Sequence, residues 1–289
     1  MRSVQALVAG LIDYAGLFPP AGLDMSAAVD NYARYFDGDL AWALGRFVVP
    51  TARLREFEEA FAPVSLAHPW SLSALAGPEL VADLAEISWF NQRNDGRALI
   101  DSIETKASTA DEISRTRELV DRAYEWFVEV PIGDPALLDS VALADARAKV
   151  RMGGLSADMF PSPEKVAAFL LGCAQHNVAF KATAGLHHPV RCHKAFTYER
   201  SSPSGNMHGF FNVLLAAALA RRGATVELLT RILQETDSSA FTFSDAGVNW
   251  RGEHMTTSEL SDMRSQAALS FGSCSFDEPI EDLRNLKVL

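Results

Sequence analysis

Short apolar runs alternate with amphipathic stretches along almost the whole chain. Alternation of period two, or a brief run rich in β-branched residues, predicts strands at residues 11–17, 45–49, 70–75, 98–104, 126–130, 146–151, 178–184 and 240–244. Helical spacing predicts helices over 26–36, 52–61, 78–91, 109–124, 135–144 and 163–177, and an apolar helix over 209–220. Two helix starts are well signposted. Ser162-Pro163-Glu164 offers an N-cap, a first-turn proline and an early acid, and Thr109 with Glu112 forms a capping-box pattern. Eight strands alternating with helices predict an α/β fold with a parallel sheet, and eight is the number that closes a (β/α)8 TIM-type barrel. The 289 residues suit one such domain over 1–289, with a C-terminal extension from about residue 271. A doubly wound open sheet is the weaker alternative, because no Gly-x-Gly-x-x-Gly follows the first strand. The one long irregular connection, 189–206, has the length of a lid or binding loop.

Parity sorts the polar positions within those strands, since alternate residues share a face. Ser102, Glu104 and Lys106 fall on one face of the fourth strand. Glu129 lies with Phe127 on the fifth, Arg147, Lys149 and Arg151 together on the sixth, and Lys181 with Thr183 on the seventh. The apolar residues between them suit contact with surrounding helices, so the charged set should point into the barrel. Charges near strand C-termini fall where barrel enzymes build their sites; an internal salt-bridge layer is the alternative reading. Lys106, Lys149, Arg151 and Lys181, with Arg46, outnumber Glu104 and Glu129, so a small anionic ligand would complete the balance.

Composition narrows the partners. A formal charge of −11 disfavours general binding to nucleic acid or anionic membranes, which needs a positive surface. Three scattered cysteines without a Cys-x-x-Cys fit a reducing, cytoplasmic setting and offer no cysteine-built zinc site. No apolar run reaches the length of a membrane span, so no membrane partner is expected. Self-association as a homo-oligomer is left open.

A lysine crowded by other cations and partly desolvated can act as a neutral amine and attack a carbonyl to form a Schiff base. A neighbouring carboxylate can then move the protons. An acid on strand one, a lysine on four, a glutamate on five and a lysine on six resembles class I aldolases, with Asp13, Lys106, Glu129 and Lys149 in those places. The segments 148–154 and 180–185 also resemble the last lysine-bearing strands of deoxyribose-phosphate aldolase. They depart from it in lacking Lys-Thr-Ser-Thr-Gly and in ending with His187-His188 instead of a glycine-rich turn. Over most of its length the chain resembles an uncharacterised bacterial protein family, through LIDYAGLFPPA (11–21), LGRFVVP (44–50), the Lys149–Gly154 segment, FKATAGLHHP (180–189), HGFFN (208–212) and FGSCS (271–275). That resemblance implies that the motifs belong together.

The expectation is therefore an enzyme of aldolase-like lyase or isomerase type, acting on a small phosphorylated or carboxylated carbonyl compound and needing no cofactor. Lys149 or Lys181 would be the nucleophile and the other its charged neighbour, with Glu129 or Glu104 as acid/base group and Lys106 and Asp13 beside them. Arg151, Thr183, His187, His188, Arg191, His208, Asn212 and Arg46 are the expected substrate contacts. His208 opens a helix whose dipole favours the neutral imidazole, and Asn212 lies on the same face. Two alternatives stand beside this: a metal-dependent hydrolase or isomerase using His187, His208, Glu129 and Asp245, and a non-catalytic barrel that binds a small anion.

Overall fold

The computed structural model describes residues 1–289 apart from Leu66 and Pro135. Eight parallel strands close into a barrel: β1 (Ile12–Tyr14), β2 (Leu44–Pro50), β3 (Trp70–Leu75), β4 (Ala98–Lys106), β5 (Glu125–Glu129), β6 (Arg147–Arg151), β7 (Phe180–Thr183) and β8 (Ala268–Ser273). Each neighbours the next, and β8 pairs with both β7 and β1 to complete the ring. With interleaved helices this is the (β/α)8 architecture. Among the described residues no helix is long and apolar enough to cross a membrane.

Local chemistry sets the element ends as anticipated. The Ser162 hydroxyl accepts from the Lys165 N–H ahead of Pro163 in helix Pro163–His176, and Thr109 and Glu112 make a reciprocal capping box on helix Ala110–Leu119. The helix expected over 135–144 is present as Ala136–Leu143; its expected first residue, Pro135, lies outside the described residues.

The closing strand is not the expected one. Residues Phe241–Phe243 belong to a separate antiparallel three-stranded sheet with Gly247–Trp250 and Glu253–Thr256. The ring is closed instead by Ala268–Ser273, so residues 271–273, expected in an extension, lie within its last strand. Between β7 and β8 the chain inserts a hairpin (Cys192–Ala195 with Ser204–Met207), the buried helix Phe210–Arg221, helix Val226–Gln234, the small sheet and helix Thr257–Gln266.

The core lies between strands and helices. Trp126, Val128, Ile103, Phe47, Val49, Ala148, Val150, Phe180 and Ala182 are buried there, so the expected parity holds. An aromatic cluster around Trp70, with Tyr32, Phe47, Phe57 and Phe61, packs the helices onto β2 and β3. The inside of the barrel is polar. Its floor carries Phe127, whose ring lies 5.2 Å beneath the Lys181 ammonium.

The loops over the C-terminal end of the barrel pack through glycines. Gly185 has φ +67°, and a Cβ there would stand 2.7 Å from the Cα of Gly153 and 2.8 Å from the Phe160 ring. Phe160 in turn stacks on Phe196 of the inserted hairpin, centroids 4.8 Å apart. Gly185→Ala is expected to cost about 1–3 kcal/mol, because backbone strain adds to a contact with main chain that cannot move aside. Chemical denaturation measures it, and a loss below a few tenths of a kcal/mol would contradict this packing.

Candidate active site

Strand register places four charged residues side by side across the barrel wall. Lys106 is opposite Glu129, Glu129 opposite Lys149, and Lys149 opposite Lys181. Residues in register share a face, so all four point inward, as parity predicts. Asp13 joins them from β1.

The result is a chain of alternating charge. Lys181 Nζ lies 2.6 Å from Asp13 Oδ2 and 2.7 Å from Glu104 Oε1. Glu104 Oε2 is 2.8 Å from Lys149 Nζ, which lies 2.9 Å from Glu129 Oε2. Glu129 Oε1 is 3.4 Å from Arg151 Nε. Serines fill the remaining acceptor positions: Ser270 donates to Asp13 Oδ2 (2.7 Å) and Ser73 to Glu104 Oε1 (2.7 Å), while the Arg46 N–H reaches Asp13 Oδ1 (2.9 Å). Buried charges survive only when paired in this way.

The two lysines differ. Lys181, 1% exposed, makes well-aligned hydrogen bonds to both its carboxylates. Lys149 pairs with Glu104 and with Glu129, a carboxylate that it shares with the partly exposed Arg151. Burial by itself would lower the Lys181 ammonium, but Asp13 and then Glu104 outweigh it and hold it above the usual lysine range. Burial likewise favours a protonated Glu104, and the charges of Lys149 and Lys181 reverse this, holding the carboxyl well below the usual range. Glu129 is also lowered: Lys149, followed by Arg151 and Lys106, overcomes its desolvation.

These directions fix the pH dependence. A carboxylate depressed on folding contributes stability above its unfolded pKa that is lost as pH falls, and a raised lysine contributes below its unfolded pKa and is lost as pH rises. The network is therefore expected to stabilise fully between about pH 5 and pH 10, given unfolded values near 4.3 and 10.4. Urea midpoints across pH 3–11 check this. A midpoint still rising as pH falls from 5 to 3 would contradict it.

Above this chain lies a cavity of about 370 Å³ at the C-terminal end of the barrel, reached by Glu104, Lys106, Glu129, Lys149, Arg151, Lys181, Thr183 and His187. Phe18, Leu155 and Met159 give it apolar walls. It adjoins an outer cleft of about 780 Å³ through the shared residues Lys106, Glu129, Arg151 and Met159.

The other expected contacts are placed elsewhere. Arg46 faces the N-terminal end, paired with Asp101 (2.7 Å) and Glu125 (2.9 Å). Asn212, fully buried, accepts from the Arg191 N–H and donates to the carbonyls of Ile232 and Glu235, so all its capacity goes to holding loops. His208 is also fully buried: Nε2 donates to the Pro161 carbonyl (2.7 Å) and Nδ1 faces Arg191 Nη1 (3.3 Å). Desolvation pushes it down to about 4, leaving the neutral ring that the helix dipole suggested but with no free nitrogen for substrate. Arg191, which makes this contact, does not line the main cavity. His188 turns away from the main cavity and sits 2.6 Å from Asp282.

The set His187, His208, Glu129 and Asp245 does not assemble. Asp245 accepts the Arg2 N–H (2.8 Å) beside the N-terminal helix, because residues 241–243 are not a barrel strand. Among the described residues, no group of three or more His, Cys, Asp or Glu is placed to hold a metal ion. The balance of charge also shifts once Asp13 is counted. Asp13, Glu104 and Glu129 match Lys149, Lys181 and Arg151, which leaves Lys106 as the cation at the rim beyond this balanced set.

Sequence reasoning passed over Ser73, Ser270, Glu278 and Asp282. Ser73 was accessible by parity, since Trp70, Leu72 and Ala74 are apolar around it. Glu278 and Asp282 lie one turn apart on helix Asp277–Asn285, and nothing in their sequence neighbourhood links them to the two histidines they meet.

Comparison with protein-family models, curated proteins and solved structures gives no match. The fold is consistent with an enzyme.

Proposed function

We propose that the protein is an enzyme acting on a small anionic carbonyl compound, by carbon–carbon lyase or isomerase chemistry through a Schiff base on Lys149. The carrying observation is the contrast between the lysines. Lys181 is locked as a cation between two fully buried carboxylates, whereas Lys149 shares its second carboxylate, Glu129, with Arg151 where the cavity meets the outer cleft. Glu129 Oε2, 2.9 Å away, is positioned to take the proton that Lys149 must lose before attack. Lys106 and Arg151 stand where the cavity meets the outer cleft and supply the charge for an anionic group. Lys181 then keeps Glu104 neutralised when Lys149 gives up its charge, a supporting role in place of the nucleophile's.

Borohydride reduction with a panel of aldehydes and keto acids, read by peptide mass spectrometry, tests this. A reduced adduct on Lys149 is expected. Adducts on surface lysines alone, or none across the panel, would defeat it and leave the second reading, an anion-binding barrel without turnover. Pairing of both lysines with carboxylates favours that second reading.

A further inference from the structure

The cavity holds one more group able to handle a proton, His187, in the loop after β7. Its Nδ1 lies 3.2 Å from Glu278 Oε2 and 3.5 Å from Ser273 Oγ. The Ser273 hydroxyl donates its own hydrogen to the Ser275 carbonyl (2.6 Å), so it presents a lone pair to the imidazole. Both neighbours of Nδ1 are thus acceptors, with Glu278 held below the usual carboxylate range because His187 and then His188 overcome its burial. Two acceptors fix the proton on Nδ1 and leave Nε2 as the basic nitrogen. Nε2 makes no hydrogen bond among the described residues, and His187 borders the reaction cavity. His208 is the contrast, with both nitrogens consumed by the protein.

We propose that His187, positioned by Glu278, is a second proton-transfer residue of this cavity and that the substrate carries a hydroxyl β to its carbonyl. This rests on the Lys149 reading. In the β-hydroxy iminium, Nε2 accepts the hydroxyl proton and the O–H electron pair becomes the π bond of a new carbonyl. The Cα–Cβ bond breaks and its electron pair forms the enamine double bond, while the C=N π pair moves onto nitrogen and neutralises the iminium. The imidazolium returns the proton to Cα, restoring the iminium, which water hydrolyses to free Lys149 and the second carbonyl product. No oxidant or reductant is consumed. Glu129 serves Lys149 and His187 serves the carbon skeleton.

Two measurements on the full chain test this. The first is nitrogen NMR of ¹⁵N-histidine-labelled protein at pH 8, with His187 assigned from the His187→Gln spectrum. It should show Nδ1–H with bare Nε2, and Glu278→Leu should convert this to a mixture of tautomers. An Nε2–H or cationic ring in the wild type overturns the assignment. The second uses hydroxyacetone as probe in D₂O, following α-proton exchange alongside borohydride trapping. His187→Gln should slow exchange at least 100-fold while the Lys149 adduct persists. Unchanged exchange in that variant, or an adduct without exchange in the wild type, overturns the proposal. Failure of the Lys149 reading is distinguished by absence of the adduct itself, which the NMR result does not depend on.

Discussion

Lys181→Met is expected to lower the stability of the protein by about 3–5 kcal/mol, the cost of removing one partner from a buried charge pair. Methionine fills much of the same space, so the loss comes from electrostatics more than from a void. Asp13 and Glu104, both at most 3% exposed, would face each other without the ammonium that bonds both. One of them must then take up a proton, which moves the acid limb of the stability profile upward in pH. Adding Asp13→Asn removes one of the stranded charges and should restore part of the loss. Guanidinium denaturation at pH 7 measures both variants. A change below about 1 kcal/mol for Lys181→Met would show that the network does not carry the stability assigned to it.

Lys149→Met should leave a folded protein that forms no borohydride adduct and whose activity, on any carbonyl compound the panel identifies, falls on the order of 10³-fold or more. The structural penalty should be smaller than at Lys181. Glu104 keeps Lys181 and Ser73, and Glu129 keeps Arg151 and opens on the outer cleft. Position 181 should thus be mainly a stability position and position 149 mainly an activity position. If Lys149→Met retains the adduct at wild-type yield, the nucleophile lies elsewhere. If it unfolds the chain, Lys149→Arg keeps the charge without a reactive amine and reads the chemistry separately.

Seven of the eight barrel strands were legible in the sequence as short apolar or alternating runs, and on β4 to β7 the inward face also carries charge. Phe127–Glu129 and Lys149–Arg151 show the pattern plainly. The eighth was not, for a physical reason. Ala268–Ser273 turns small residues, Ser270 and Gly272, toward the barrel interior, so it offers neither charge nor bulk to mark its face. Phe241-Thr242-Phe243 alternates more clearly, but alternation of that kind also marks an antiparallel ribbon, which is what forms. The inner charge network could be read from parity, strand by strand. Its connectivity could not, since which carboxylate meets which ammonium depends on strand stagger. The contact of His187 with Glu278 was equally out of reach, because it joins the loop after β7 to a helix that follows β8.

Asp13 is bonded to partners 168 and 257 positions away along the chain. Contacts of such separation demand that nearly the whole polypeptide be gathered before they exist, and proteins dominated by them fold slowly. Until β1 and β8 meet, Asp13 has no reason to leave water. Closure of this part of the network is thus expected to be a late event, on the native side of the main barrier. Substitutions in the network should accordingly leave the refolding limb of a chevron nearly unmoved and steepen escape from the native state. The polar interior thereby acts as a latch, governing how long a closed barrel stays closed more than how quickly it forms.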